Sequence, residues 1–207
     1  MTHPALWLGQ DRIVLASGSA ARRQLLDGAG IPFDIIKPNV DEKAIAATLL
    51  EERASPREIA IALAHAKAEA VARKVPNRLV LAADQTLDHA GTLFMKPVDY
   101  ASARGQLQRL RDSEHRLHSA AVLRRDSAVL WAGHSTAALT MRDFSNGFLD
   151  AYLAAMGDAV LETVGGYQLE ALGPHLFSDI VGDHPTILGL PLFGLLWALR
   201  DLGLLRS

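Results

Sequence analysis

Ser17-Gly18-Ser19-Ala20-Ala21-Arg22-Arg23 follows a short apolar run and opens a polar one. Two hydroxyls, two guanidiniums and the free N–H groups of a helix start are donors that an anion takes up, so this turn can cradle phosphates. A helix cap followed by solvated arginines uses the same residue types and is the commoner arrangement. No Gly-Lys-Ser/Thr follows, which excludes a Walker loop. Asp41-Glu42 is a pair of adjacent carboxylates ahead of a helix. Such a pair complements the helix dipole, and its oxygens also suit Mg²⁺. Asp84 follows the run Leu79-Val80-Leu81-Ala82-Ala83. Ligands of open α/β sheets sit beyond the carboxyl ends of strands, where an aspartate can hold a metal or orient a water. A turn residue or helix cap is the plainer alternative, at even weight.

Two lysines complete the set. Lys67 stands among Ala64, Ala66, Ala68 and Ala70, whose small side chains let that face line a cleft or simply pack closely. Lys96 lies between Met95 and Pro97, in an extended or turning segment, and reads by default as a surface lysine. His115 and His118 are three positions apart. On a strand they point to opposite faces, which disfavours joint metal binding. His65 reads as an ordinary helix histidine, and Phe193 and Trp197 as core of the last helix.

The elements that position these groups can be read from periodicity and end signals. Ile13 to Ala16 is a buried strand, Ala20 to Leu26 a helix stopped near Gly28 and Gly30, and Phe33 to Ile36 a second strand. Ser55-Pro56-Arg57-Glu58 starts an Ala-rich helix that runs to about Lys74. Leu79 to Ala83 is a third strand that delivers Asp84 at its end. Asp99 caps a helix over Ala101 to Arg111. His118 to Leu123 and Ala128 to Thr140 form a hairpin around Arg125-Asp126-Ser127. Ser145 and Pro191 open the last two helices. Alternating strands and helices followed by a hairpin predict an α/β fold with a mixed sheet.

Composition narrows the function classes. The chain has 207 residues, 49% hydrophobic and 21% charged, enough for a sizeable core and against disorder. A formal net charge of -2 gives no bulk case for a nucleic-acid polymer, so an anionic ligand needs local basic groups. The absence of cysteine excludes disulfides and thiolate-held zinc. The stretch MTHPALWLGQDR does not read as a signal peptide, and the longest uncharged run, from His184 to Leu199, is too short for a membrane span. A cytoplasmic protein is expected.

The order of the motifs is more distinctive than any one of them. LASGSAARRQLL, Asp41-Glu42, LAHAKA, LAADQTL, Lys96-Pro97, a histidine, GGYQLE and ILGLPL, in that order, resemble the Maf family of nucleoside triphosphate pyrophosphatases, once described as septum-formation inhibitors. The resemblance covers Ile13 to Leu204. It implies an elongated mixed β-sheet flanked by helices, like that of inosine triphosphatases, with residues 1–207 forming one domain of two lobes around a cleft and no separable linker. It implies hydrolysis of a triphosphate, which could be a modified one, to a monophosphate and pyrophosphate, aided by a divalent cation, Mg²⁺ or Mn²⁺. Asp84 matches the family's proton acceptor, Glu42 its acidic residue after the second strand, and Lys67 and Lys96 its cleft lysines. Glu42 and Asp84 are the expected metal ligands. Ser17, Ser19, Arg22 and Arg23 fall on the phosphate loop. A homodimer accords with this type of protein, though no residue pattern demands one. A nucleotide-sensing regulator of cell division that binds without turnover is the alternative.

The chain departs from the family pattern at several points. Ala20 replaces a usual proline, and Ala21 occupies a position tied to base preference that is often Arg or Trp. Gln85 stands where many members carry Thr, and Glu170 where dTTP/UTP-type members tend to have Gln. Gln85 and Glu170 together look like the 7-methyl-GTP branch, whereas Ala21 fits neither branch. Asp112 replaces the usual glycine before the motif histidine.

Overall fold

The structure, a computed structural model, describes residues 6–207, so residues 1–5 of the amino-terminal stretch discussed above lie outside it. It is a mixed α/β protein built on one sheet of seven strands. β1 (Ile13–Ala16) pairs in parallel with β2 (Phe33–Ile35) and with β3 (Leu79–His89). The short β4 (Thr92–Phe94), β5 (Glu114–Arg125), β6 (Ala128–Met141) and β7 (Phe177–Val181) all join antiparallel. The order is β2-β1-β3-β5-β6-β7, with β4 on β3. Among the described residues seven α-helices accompany the strands: α1 (Ala20–Gly28), α2 (Glu42–Glu51), α3 (Pro56–Ala72), α4 (Tyr100–Leu110), α5 (Asn146–Met156), α6 (His184–Ile187) and α7 (Leu192–Asp201).

Helix starts agree with the local signals. Ser55 Oγ accepts the Glu58 N–H at 3.3 Å while the Glu58 carboxylate accepts the Ser55 N–H at 2.7 Å, a reciprocal capping box that satisfies two orphan donors. Asp99 and Ser102 form a like box at the start of α4, and Ser145 caps α5 by accepting the Phe148 N–H at 3.1 Å. The hairpin is longer than expected, because β5 begins at Glu114 and so takes in His115. Asp112, in the glycine position, adopts φ 56°. Aspartate is among the few residues that tolerate that left-handed conformation.

Two expectations require correction. The third strand does not end before Asp84. It continues to His89, and Asp84 pairs with Ala120 in the middle of the β3/β5 ladder. Antiparallel pairing with the long β5 satisfies the backbone through the polar residues, so the change of composition at Asp84 does not end the strand. Phe193 and Trp197 are not core. They are 58% and 66% exposed, because α7 buries Leu192, Leu195, Ala198 and Leu199 and the 3.6-residue period turns positions 193 and 197 outward.

Side chains alternate along β3. Val80 and Ala82 face α3, whose Ala60, Ala64, Ala68 and Ala72 let the helix approach the sheet closely. Leu79, Leu81 and Ala83 face a core shared with Leu26 of α1 and Leu195 and Leu199 of α7. Farther along that second face Leu87, Leu117 and Leu139 join another core, with Leu107 of α4 and Leu149 of α5. Among the described residues no helix is long and apolar enough to cross a membrane.

Candidate active site

β1 stops at Ala16, opposite Ala82. β4 takes up the same edge of β3 only at Leu87. Positions 83–86 therefore have β5 on one side and an open edge on the other. The chain leaving β1 turns through Ser17-Gly18-Ser19 at that opening and enters α1. Asp84 thus lies beyond the carboxyl end of its parallel neighbour, although it is interior to its own strand.

By alternation Asp84 shares the face of Val80 and Ala82, toward α3. It is 5% exposed, and Lys67, reaching from α3, is 6% exposed. The Lys67 ammonium donates to the Asp84 carboxylate and pairs with Glu42 Oε2 at 2.9 Å. Glu42 is the first residue of α2 and half-exposed. Its neighbour Asp41 caps that helix, accepting the Ala44 N–H at 3.0 Å, so the two adjacent carboxylates have separate duties. Arg22 is buried. Its Nη1 donates to Ser17 Oγ at 3.2 Å and its Nε to the Gly189 carbonyl at 2.8 Å. Ser19 caps α1, accepting the Arg22 N–H at 3.4 Å, and its own N–H donates to Ser17 Oγ at 3.2 Å.

Burial pushes the Asp84 carboxyl above its ordinary value. Lys67 and then Arg22 pull it back, and Glu42 adds to the rise. Burial likewise lowers the Arg22 pKa, against the opposing pull of Asp84 and Glu42. Arginine nonetheless remains cationic at any pH a protein meets. The group therefore holds two cations and two carboxylates, one carboxyl being a base of raised proton affinity.

The remaining expected residues are distributed differently. Gln85 follows Asp84 and so points to the opposite face, where its Nε2 donates to Ser119 Oγ and to the Thr186 and Ile187 carbonyls, each at 3.0 Å. Lys96, just after β4, is exposed, and Glu170 is exposed in a turn between the 3-10 segments Val164–Gly166 and Gly173–Leu176. Neither makes a side-chain bond to the Asp84 cluster among the described residues. Ala21 is half-buried on α1. Arg23 lines a surface depression of about 480 Å³ together with Arg12, Gln24, Asp27 and Phe33. His115 and His118 face opposite ways, as their spacing requires. His115 Nε2 bonds the Tyr167 hydroxyl at 2.7 Å, and His118 meets Asp88 and Thr136.

The sequence reading passed over Lys37 and Gly189. The Lys37 stem packs where a Cβ on Gly18 would sit, with its Cε 3.3 Å from that point, which sets another cation beside the loop. Nothing in its local context marks it. Gly189 lies inside the quoted ILGLPL run, but the long-range bond to Arg22 that gives it a role leaves no local signal.

Among the described residues no three His, Asp or Glu side chains converge to hold a metal ion. Glu42 and Asp84 are two carboxylates meeting at one lysine.

Comparison with known proteins identifies the family. The family model for Maf-like protein matches residues 12–202. A nucleoside triphosphate pyrophosphatase of Rhodopseudomonas palustris strain BisB18 is 48% identical over 200 residues, covering 97% of this chain and 98% of that protein. One from Caulobacter vibrioides is 48% identical over 188 residues, 91% of this chain and 94% of that protein. A 7-methyl-GTP pyrophosphatase of Brucella abortus is 46% identical over 189 residues, 91% and 95% of the two chains. With a family match across nearly its whole length and relatives of this identity, the chain belongs to the Maf-like protein family.

Proposed function

We propose that this chain hydrolyses a nucleoside triphosphate to a nucleoside monophosphate and pyrophosphate. The observation that carries the reading is the buried Asp84 carboxyl beside Lys67 and Arg22, at the open sheet edge where the Ser17–Ser19 turn begins α1. A carboxyl of raised pKa is a stronger base than a solvated one, and flanking cations favour its ionised form. Water attacks the α-phosphorus, its proton passes to Asp84, and the bond to the β-bridging oxygen breaks to release pyrophosphate. Arg22, Lys67, the Ser17 hydroxyl and the N–H groups of the turn offset charge that grows on the leaving group. Lys96 reaches the phosphates only if a bound substrate draws it in from its exposed position.

The charges also support a divalent cation. Lys67 and Arg22 are already balanced by Asp84 and Glu42, whereas a triphosphate brings about four negative charges. Mg²⁺ or Mn²⁺ held by Glu42 and Asp84 would supply the missing positive charge and polarise the phosphates. For the base, Gln85 turns its amide nitrogen toward protein carbonyls and leaves Oε1 as an acceptor. Glu170 is also an acceptor. The pair suits a base edge rich in N–H donors, as in guanine or its 7-methyl form. Work in the cytoplasm as a single domain fits this activity.

A panel of standard and modified triphosphates, with Mg²⁺ or Mn²⁺, scored for monophosphate and pyrophosphate, tests the reading. Pyrophosphate as the first product supports it. Orthophosphate alone overturns it, and binding without any product favours a regulator.

A further inference from the structure

A polar row crosses the sheet between the two apolar cores of one face. Gln85, Ser119 and Ser135 are successive cross-strand neighbours on β3, β5 and β6, and all three meet the segment that carries α6. Ser119 and Thr186 have no exposed surface. Ser119 Oγ donates to the Thr186 carbonyl at 2.7 Å, beside the Gln85 amide. Thr186 Oγ1 donates to Asp183 at 2.8 Å and shares a hydrogen bond with Ser135, while the Thr186 N–H reaches Asp183 at 2.7 Å. Burying this many polar groups costs stability unless every one is bonded, and an apolar row would hold α6 at lower cost. What hydrogen bonds add, and apolar packing lacks, is direction.

That direction is passed on to Arg22. The Thr186 carbonyl also accepts the Gly189 N–H at 3.1 Å. The chain turns there with φ +95°, and the Gly189 carbonyl accepts Arg22 Nε. A Cβ at position 189 would be strained by that φ and would stand 3.2 Å from Arg22 Nη2, so conformation favours glycine and a side chain would press on the guanidinium. Nε and Nη1 of Arg22 are thereby held by Gly189 and Ser17, which fixes the plane of the guanidinium and the aim of its remaining donors.

We propose that Ser119 and Thr186 are positioning residues that fix, through the Gly189 carbonyl, the guanidinium plane Arg22 presents to the substrate's phosphates. The inference rests on the reading of Arg22 as a phosphate ligand. A donor oriented beforehand loses less freedom when the substrate arrives, and a small misplacement is costly in rate.

A double-mutant cycle on kcat/KM for pyrophosphate release tests it, with Ser119→Ala measured in the parent and in Arg22→Gln. Arg22→Gln is expected to lose about a hundredfold, and Ser119→Ala about tenfold in the parent but less than about twofold in Arg22→Gln. Equal losses in both backgrounds overturn the positioning role. An Arg22→Gln protein of undiminished activity overturns the phosphate reading beneath it instead. Should Ser119→Ala not fold, Thr186→Val replaces it in the cycle. Thr186→Ser, which keeps the hydroxyl, is expected to retain activity that Thr186→Val loses, and equal activity of the two variants overturns the role given to Thr186.

Discussion

Asp84 is an acid that the fold keeps partly against its nature. Burial favours its neutral form, while Lys67 and Arg22 favour the ionised form that the proposed base requires. Asp84→Asn removes the proton acceptor while keeping shape and is expected to lower kcat by about a hundredfold or more, measured by pyrophosphate release on protein of parental circular dichroism. The pH profile follows from the same groups. Only ionised Asp84 accepts a proton, so kcat/KM falls as pH drops through its folded pKa. Lys67 holds that pKa down, so Lys67→Met should move the acid limb to higher pH, and an unmoved limb would assign the limb to another group. Base choice is a matter of single acceptors. Glu170→Gln should change the ranking of triphosphates by about 1–3 kcal/mol, the cost of leaving a partner unpaired, read as ratios of kcat/KM across the panel.

The elements that bring these residues together are separately stabilised. α3 carries Lys67, and its start depends on the Ser55–Glu58 box. Ser55→Ala should reduce stability by about 1 kcal/mol in urea unfolding, the usual worth of a cap, with no change in nucleotide ranking. α2 relies on Asp41 in the same way, which leaves Glu42 free to meet Lys67. β3 is the element the site most depends on. Because it runs unbroken past position 84, alternation sends Asp84 toward α3 and Gln85 toward α6. One strand thus separates the proposed proton acceptor from the group expected to read the base, and Arg22 joins the two faces by touching Gly189 on one and acting on Asp84 on the other.

On the scale of the molecule, buried polar groups link stability to pH. His115 is buried against Tyr167 and Phe177, and burial, aided by His89, lowers its pKa from 6.5 to about 4. The unfolded chain therefore takes up a proton that the folded one refuses between these values. Stability is full above about pH 6.5 and is lost as pH falls toward 4, by up to ~3 kcal/mol from this residue alone. Thermal unfolding followed across that range should show the loss, and His115→Gln should flatten it. The two aromatic side chains exposed on α7 lie outside both cores and contribute little to this balance.

Much of the molecule is written in short-range chemistry. A capping serine and a glutamate three residues on, a run of four apolar residues, or a turn between two alternating segments act over a few residues, so Ser55, β1 and the β5–β6 hairpin were legible without the fold. The order of the motifs likewise marked the family, since order survives in the chain itself. What lay beyond reading was every feature whose partner is distant. β3 extends past Asp84 because β5, distant in the chain, supplies the ladder as far as Asp88, and β4 pairs its end at His89. Phe193 and Trp197 are exposed because burial is set by which face of α7 meets the sheet, not by hydrophobicity alone. Lys67, Asp84 and Glu42 converge only where α3, β3 and α2 pack. The interactions that make a carboxylate into a base, burial and a neighbouring charge, depend on distance in space, and only tertiary packing sets that distance.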